Sequence, residues 1–186
     1  GSNVADCFAA GGRQVVIYDN LSRPGVERNL QWLCDRHGPR VQVELGDMRD
    51  ARRLGSCVRK ASAVIHLAAQ VAVTSGLTSP VDDFEINARG TLNLLEALRR
   101  CPQPPPLLFT STNKVYGALE DVPLQMGEHR YEPADEDLRR TGIGEGRPLD
   151  FHSPYGCSKG AADQYVLDYA RSFGVPTVVF RMSCIY

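Results

Sequence analysis

No apolar run in the chain approaches the roughly 18 residues that a membrane-spanning helix requires, so a membrane protein is not expected. The start of the chain lacks a basic stretch followed by an apolar core, and a secretory leader is likewise not expected. There is no Cys-x-x-Cys, and the four histidines are not grouped at metal-ligand spacing, which argues against a zinc site. The six cysteines (Cys7, Cys34, Cys57, Cys101, Cys157 and Cys184) suggest no disulfide framework and are expected to be reduced thiols in a cytoplasm. A net charge of −1 leaves no broad basic footprint for nucleic acid. Internal repeats are also lacking. What remains is a chain of 186 residues, 42% hydrophobic and 23% charged, a balance that suits one soluble domain with a substantial core.

Apolar runs rich in β-branched residues alternate with helical patterns, the rhythm of a parallel sheet covered by helices on both faces. Strands are expected near Gln14–Asp19, Val41–Leu45, Ala63–Leu67, Leu107–Ser111 and Thr177–Arg181. Between them, Pro24–His37 and Met48–Lys60 read as amphipathic helices. A third helix opens with Ser79 as N-cap and Pro80 in its first turn, and its pattern points Val81, Phe84, Ala88, Leu92, Leu95 and Leu98 inward. Ser153-Pro154 repeats that start signal, and the helix it opens is expected to bury Ala162, Tyr165, Val166 and Tyr169.

Tyr155 and Lys159 fall on this last helix, four residues apart and therefore on one face. A phenol, with an ordinary pKa of roughly 10, is a poor base at neutral pH; an adjacent ammonium stabilises the phenolate and is expected to lower that value. The bland alternative, an aromatic ring packed beneath a lysine stem, is common in helices.

The chain opens on a short helix, residues 1–12, that leads directly into a strand, so an α/β unit begins without its first strand. In a dinucleotide-binding unit Gly1 would be the last glycine of a phosphate-binding turn, the plain alternative being a remnant of cloning. Asp19 ends the next strand, where an acid bonds a ribose 2′-hydroxyl and favours NAD; Asp is also an ordinary turn residue.

An ordered series of motifs follows: Tyr18-Asp-Asn-Leu-Ser-Arg23, Gly46-Asp-Met-Arg-Asp50, His66-Leu-Ala-Ala-Gln-Val71, Ile86-Asn-Ala-Arg-Gly-Thr-Leu-Asn-Leu-Leu-Glu-Ala97, Ser111-Thr-Asn-Lys-Val-Tyr-Gly117 and Leu149-Asp-Phe-His-Ser-Pro-Tyr-Gly-Cys-Ser-Lys-Gly-Ala-Ala-Asp-Gln164. With these the chain resembles the NAD-dependent epimerase/dehydratase branch of the extended short-chain dehydrogenases, most of all its 2-epimerases of CDP-linked dideoxy sugars. The resemblance implies a Rossmann-like doubly wound parallel sheet, here lacking its first strand and the C-terminal substrate domain. It implies NAD as cofactor, with Asp19 and Asn20 near the adenosine ribose, Asp47 and Met48 at the adenine, and Leu67, Ala68, Ala69 and Gln70 along the cofactor. Thr112, Tyr155 and Lys159 take the catalytic positions, Lys159 also anchoring the ribose, and Asn113, Lys114 and His152, with Arg181, fall beside the substrate.

The implied reaction is reversible oxidation of a nucleotide sugar at C2, the substrate being a CDP-3,6-dideoxyhexose of polysaccharide biosynthesis. The alternatives are a 4-epimerase or reductase of the same family, or a non-catalytic NAD-binding protein. The family's 4,6-dehydratases carry Asp-Glu after the catalytic Thr, where this chain has Asn113 and Lys114. The resemblance further implies a homo-oligomer of the full-length parent and no nucleic-acid or membrane partner. Residues 117–150, with nine acids against four arginines, show little periodicity, and so long a segment within a domain is expected to be a lid or substrate-side insertion. The whole of 1–186 then reads as a partial NAD-binding domain, marginally stable and weak for NAD because its sheet lacks a central strand.

Overall fold

Five parallel strands divide into two sheets. The computed structural model describes residues 1–71 and 73–183. Helix α1 (Ser2–Ala10) leads to β1 (Val15–Asp19), α2 (Val26–His37), β2 (Val41–Leu45), α3 (Ala51–Val58) and β3 (Val64–His66). Next come α4 (Val73–Thr78), α5 (Pro80–Phe84), a π-helical turn (Glu85–Arg89), α6 (Gly90–Arg99) and β4 (Leu107–Thr112). A hairpin of β5 (Leu124–Met126) and β6 (Tyr131–Pro133), the short α7 (Glu136–Thr141), the long α8 (Ser153–Phe173) and β7 (Thr177–Met182) complete it.

Strand β1 pairs with β2, while β3, β4 and β7 form a separate parallel sheet in that order. Among the described residues no strand bridges β1 and β3. Each sheet has its own core. Ala5, Ala9, Leu33 and Val41 pack with Val15 and Ile17 in one; Leu54, Val58, Leu94, Leu95, Leu98, Phe109, Ala162 and Val166 fill the other.

Strand ends agree with expectation to within a residue or so, and the differences lie in the helices. The helix expected to run unbroken from Pro80 is interrupted by the π turn, and Val81 and Phe84, expected inside, are exposed. Tyr165 of α8 is exposed too. Ser79 does not cap through its side chain; its hydroxyl donates to Asp82 Oδ2 at 2.8 Å. Residues 117–150 are not a bare loop, since they hold the antiparallel β5–β6 hairpin and α7 around a small hollow lined by Leu119, Val122, Leu124, Pro133, Leu138 and Ile143. A hydrogen bond from Asp150 N–H to the Val115 carbonyl, 2.9 Å, closes the segment back onto the domain. Five of the expected free thiols are unpaired; Cys184 lies outside the described residues.

Candidate active site

Parallel strands place all their C-terminal ends at one edge, and Asp19, Leu45, His66, Thr112 and Met182 end these five. Side chains there face the crevice in which open α/β sheets bind ligands.

At the β1–β2 side, Asp19 Oδ1 accepts the Leu21 N–H at 2.8 Å. Asn20 Nδ2 donates to Asp47 Oδ2 at 2.9 Å, so Asp19, Asn20 and Asp47 are brought together. Asp47 also receives the Arg49 Nε–H and backbone N–H, both at 2.9 Å, and these guanidinium and amide bonds hold its carboxyl well below the usual range. Tyr18 supports the turn from beneath: its hydroxyl donates to the Asp47 carbonyl at 2.9 Å, and a side chain at Gly46 would strike its ring. Met48 is packed into the main core, so its side chain is not free in the crevice. Gly1 is exposed at the N-cap position of α1, its carbonyl accepting the Ala5 N–H.

The Leu67–Gln70 turn leaves β3 half-buried and is tied down by Asn87. Asn87 Oδ1 accepts the Gln70 N–H and Asn87 Nδ2 donates to the Gln70 carbonyl, each at 2.9 Å. The π turn brings this amide to the backbone of the turn; such turns are frequent at functional sites.

Thr112 is buried at the end of β4, where its hydroxyl accepts the Lys114 N–H at 3.2 Å. Tyr155 is half-buried in the first turn of α8, entered through Ser153, whose Oγ accepts the Gly156 N–H at 3.2 Å. Lys159 is buried, its Nζ donating to the Thr110 carbonyl at 2.7 Å and lying 4.3 Å from the Phe109 ring centroid. Burial lowers the ammonium to about 8, against the pull of Asp163 and Asp83.

Tyr155 departs from expectation. Burial raises its phenol above the ordinary value, Thr112 pulls it down, and Asp83 pushes it up. Lys159 is not among the groups that shift the phenol; its ammonium is directed to the Thr110 carbonyl of β4.

Asn113 and Lys114 are exposed just beyond Thr112. His152 is exposed as well and bonds Asp150 Oδ2 through Nε2 at 2.9 Å. Arg181 is not a free contact. Its Nε and one terminal nitrogen donate to the two Asp163 oxygens at 2.9 Å, and the other terminal nitrogen donates to the Tyr116 hydroxyl at 2.9 Å.

A family model described as GDP-mannose 4,6 dehydratase matches residues 1–186. The chain belongs to that family. It is 46% identical to the CDP-paratose 2-epimerase of Salmonella typhi over all of this chain and 54% of that protein. With the dTDP-glucose 4,6-dehydratase of Mycolicibacterium smegmatis the identity is 32%, over 92% of this chain and 45% of the relative. The crystal structure of UDP-glucose 4-epimerase from Brucella ovis in complex with NAD superposes with a TM-score of 0.75 at 29% identity, covering 97% of this chain and 47% of that one. The chain thus spans about half the length of the relatives it matches, and its α/β fold is the Rossmann-like fold of the family.

Three buried polar residues beside these groups carry no role in the sequence reading. Asp83, Asn87 and Thr91 are buried polar residues at successive fours along an otherwise apolar helical run, and that spacing was the available signal.

Proposed function

We propose that the full-length parent is a nucleotide-sugar 2-epimerase that binds NAD and oxidises and re-reduces its substrate at C2, the CDP-paratose to CDP-tyvelose type of reaction. One observation carries the reading: Thr112, Tyr155 and Lys159 occupy the crevice end of β4 and α8 in a chain 46% identical throughout to a CDP-paratose 2-epimerase.

The side chains at the crevice suit a dinucleotide. Asp19 retains acceptor capacity for ribose hydroxyls, Asn20 and Asp47 form a polar shelf beside it, and the Leu67–Gln70 backbone is held rigid by Asn87. Bound NAD would supply the electron acceptor and donor for the sugar carbon. The protein's own work is proton transfer and orientation. Tyr155 takes the proton of the C2 hydroxyl, Thr112 holds that oxygen and the phenol, and Lys159 releases Thr110 to reach the ribose and favour the phenolate. Asn113 and Lys114 place no carboxyl beside Thr112, so elimination of water has no acid–base pair there. Residues 117–150, which rejoin the domain directly before α8, serve substrate selection with His152.

The parent is further proposed to be a cytoplasmic homo-oligomer acting in polysaccharide biosynthesis. Unpaired thiols support the compartment, and Leu77, Val81, Phe84 and Tyr165, exposed on the mutually packed α4, α5 and α8, support an apolar face between copies.

The test is to incubate the full-length protein with CDP-paratose and follow C2 configuration by NMR. Inversion abolished in Tyr155→Phe is expected. Inversion that survives the substitution rejects Tyr155 as base, and no inversion with CDP-paratose but turnover of UDP-glucose establishes the 4-epimerase alternative.

A further inference from the structure

Asp83 is fully buried in α5, and among the described residues no cationic side chain is bonded to it. Its Oδ1 accepts the Asn87 Nδ2 at 2.9 Å and the Ser158 hydroxyl in a short bond, and its Oδ2 lies 3.4 Å from Gln70 Nε2. Ser158 stands between Tyr155 and Lys159 on α8, with the Tyr155 carbonyl 3.1 Å from its hydroxyl. A side-chain carbon at Gly76 would lie 2.5 Å from Asp83 Oδ2 and 3.5 Å from the Tyr155 nitrogen, so α4 crosses this point only with glycine. One carboxylate therefore joins α5, the π turn, the Gln70 turn and the catalytic helix.

We propose that Asp83 is a positioning residue for the Tyr155–Lys159 pair, fixing α8 against the Gln70 turn and setting the electrostatic potential in which both groups ionise. The proposal rests on the epimerase reading for its purpose, though not for its measurement.

A buried carboxylate without a cation is costly, and a purely structural tie could be made by a neutral amide. The charge has effects that such an amide would lack. It favours the protonated ammonium of Lys159 against the lowering caused by burial, and it disfavours the Tyr155 phenolate. The other charged or titratable groups facing Lys159 are Asp163, one turn along α8 and paired with Arg181 of β7, and His66 of β3, which burial and the Lys159 charge lower to about 3. Helix α4 carries no charged residue. Among the described residues, Asp83 is thus the carboxylate acting on Lys159 that is not paired with an arginine.

The experiment is a pH titration of the full-length protein with its cofactor, carrying 13Cε-lysine and read by NMR, with Lys159 assigned by its loss in Lys159→Arg. The midpoint is expected below that of an exposed lysine, because burial outweighs the pull of the two carboxylates. Asp83→Asn, which retains the shape and loses the charge, should lower it by about half a unit or more. Ser158→Ala removes the hydroxyl that screens Asp83 and should raise it. A purely structural Asp83 would alter stability and leave the midpoint in place. An unmoved midpoint in Asp83→Asn overturns the proposal; if that variant does not fold, an unmoved midpoint in Ser158→Ala does so. Because the titration needs no turnover, failure of C2 inversion and failure of this shift are separate results.

Discussion

Acidification should destabilise this protein through His66 well before its carboxylates are protonated. The tautomer follows from the bonds around it. Thr91 uses its only hydroxyl proton on the Asn87 carbonyl, at 2.6 Å, and must accept from His66 Nε2–H, at 2.9 Å. His66 therefore carries a proton on Nε2, and its ring is buried at the end of β3 against Phe109. Burial first, and the Lys159 charge second, lower its pKa from 6.5 to about 3. Since the folded value lies below the unfolded one, the stabilisation is complete above pH 6.5 and is lost as pH falls toward 3. One pKa unit corresponds to about 1.4 kcal/mol, so this group alone should remove about 2 kcal/mol between pH 6.5 and pH 5. The window is clean because the depressed carboxyls, Asp47, Glu96 and Asp163, contribute only at lower pH. Urea unfolding at intervals across it measures the slope, and His66→Gln, which retains an N–H for Thr91, supplies the reference. Parallel loss of stability in both proteins between pH 6.5 and 5 would refute the reasoning.

Arg181→Met should cost about 3–5 kcal/mol in urea unfolding by leaving the fully buried Asp163 without its cation, and adding Asp163→Leu should recover much of that loss; additive costs would show the pair to be uncoupled. Burial works to raise Asp163, but its bonds, those from Arg181 foremost, outweigh it, so this stabilisation is full above the ordinary carboxylate range and is lost as pH falls below it toward the depressed folded value. Gly160→Ala gains roughly 1 kcal/mol of helix propensity, yet its methyl would overlap the Phe151 ring; a net lowering of Tm by thermal melt is expected, and a raised Tm would mean that Phe151 moves freely. Leu95→Ala in the main core should cost about 2–5 kcal/mol by chemical denaturation, and a loss below 1 kcal/mol would indicate a loosely packed core. For the 186-residue chain itself, excess NAD should change Tm little, because its sheet is split; a large stabilisation would show that the crevice is complete without a bridging strand.

The strands were legible in the sequence because runs such as Val15-Val-Ile and Leu107-Leu-Phe carry their preference locally, and parallel pairing then fixes where Asp19 and Thr112 end. Helical facing was less legible for a definable reason. A π turn adds one residue to a helical turn, so the apolar stripe drawn through Val81, Phe84, Ala88 and Leu95 slips at Glu85–Arg89. Upstream of the slip the inward positions fall to Asp83 instead, and Val81 and Phe84 turn out to solvent. The same limit explains the phenol. A four-residue spacing fixes which face of α8 carries Tyr155 and Lys159, but it sets only the start of each side chain. Four methylenes let the ammonium choose among partners, and a backbone carbonyl on β4, 49 residues away in sequence, is the one it meets at 2.7 Å. Because Thr110, the bonded carbonyl, lies two residues before Thr112 on the same strand, that choice holds Lys159 beside β4 and the proposed site rather than away from them. The spacing motif therefore sets the shared helix face, and the tertiary fold determines which partner the ammonium meets.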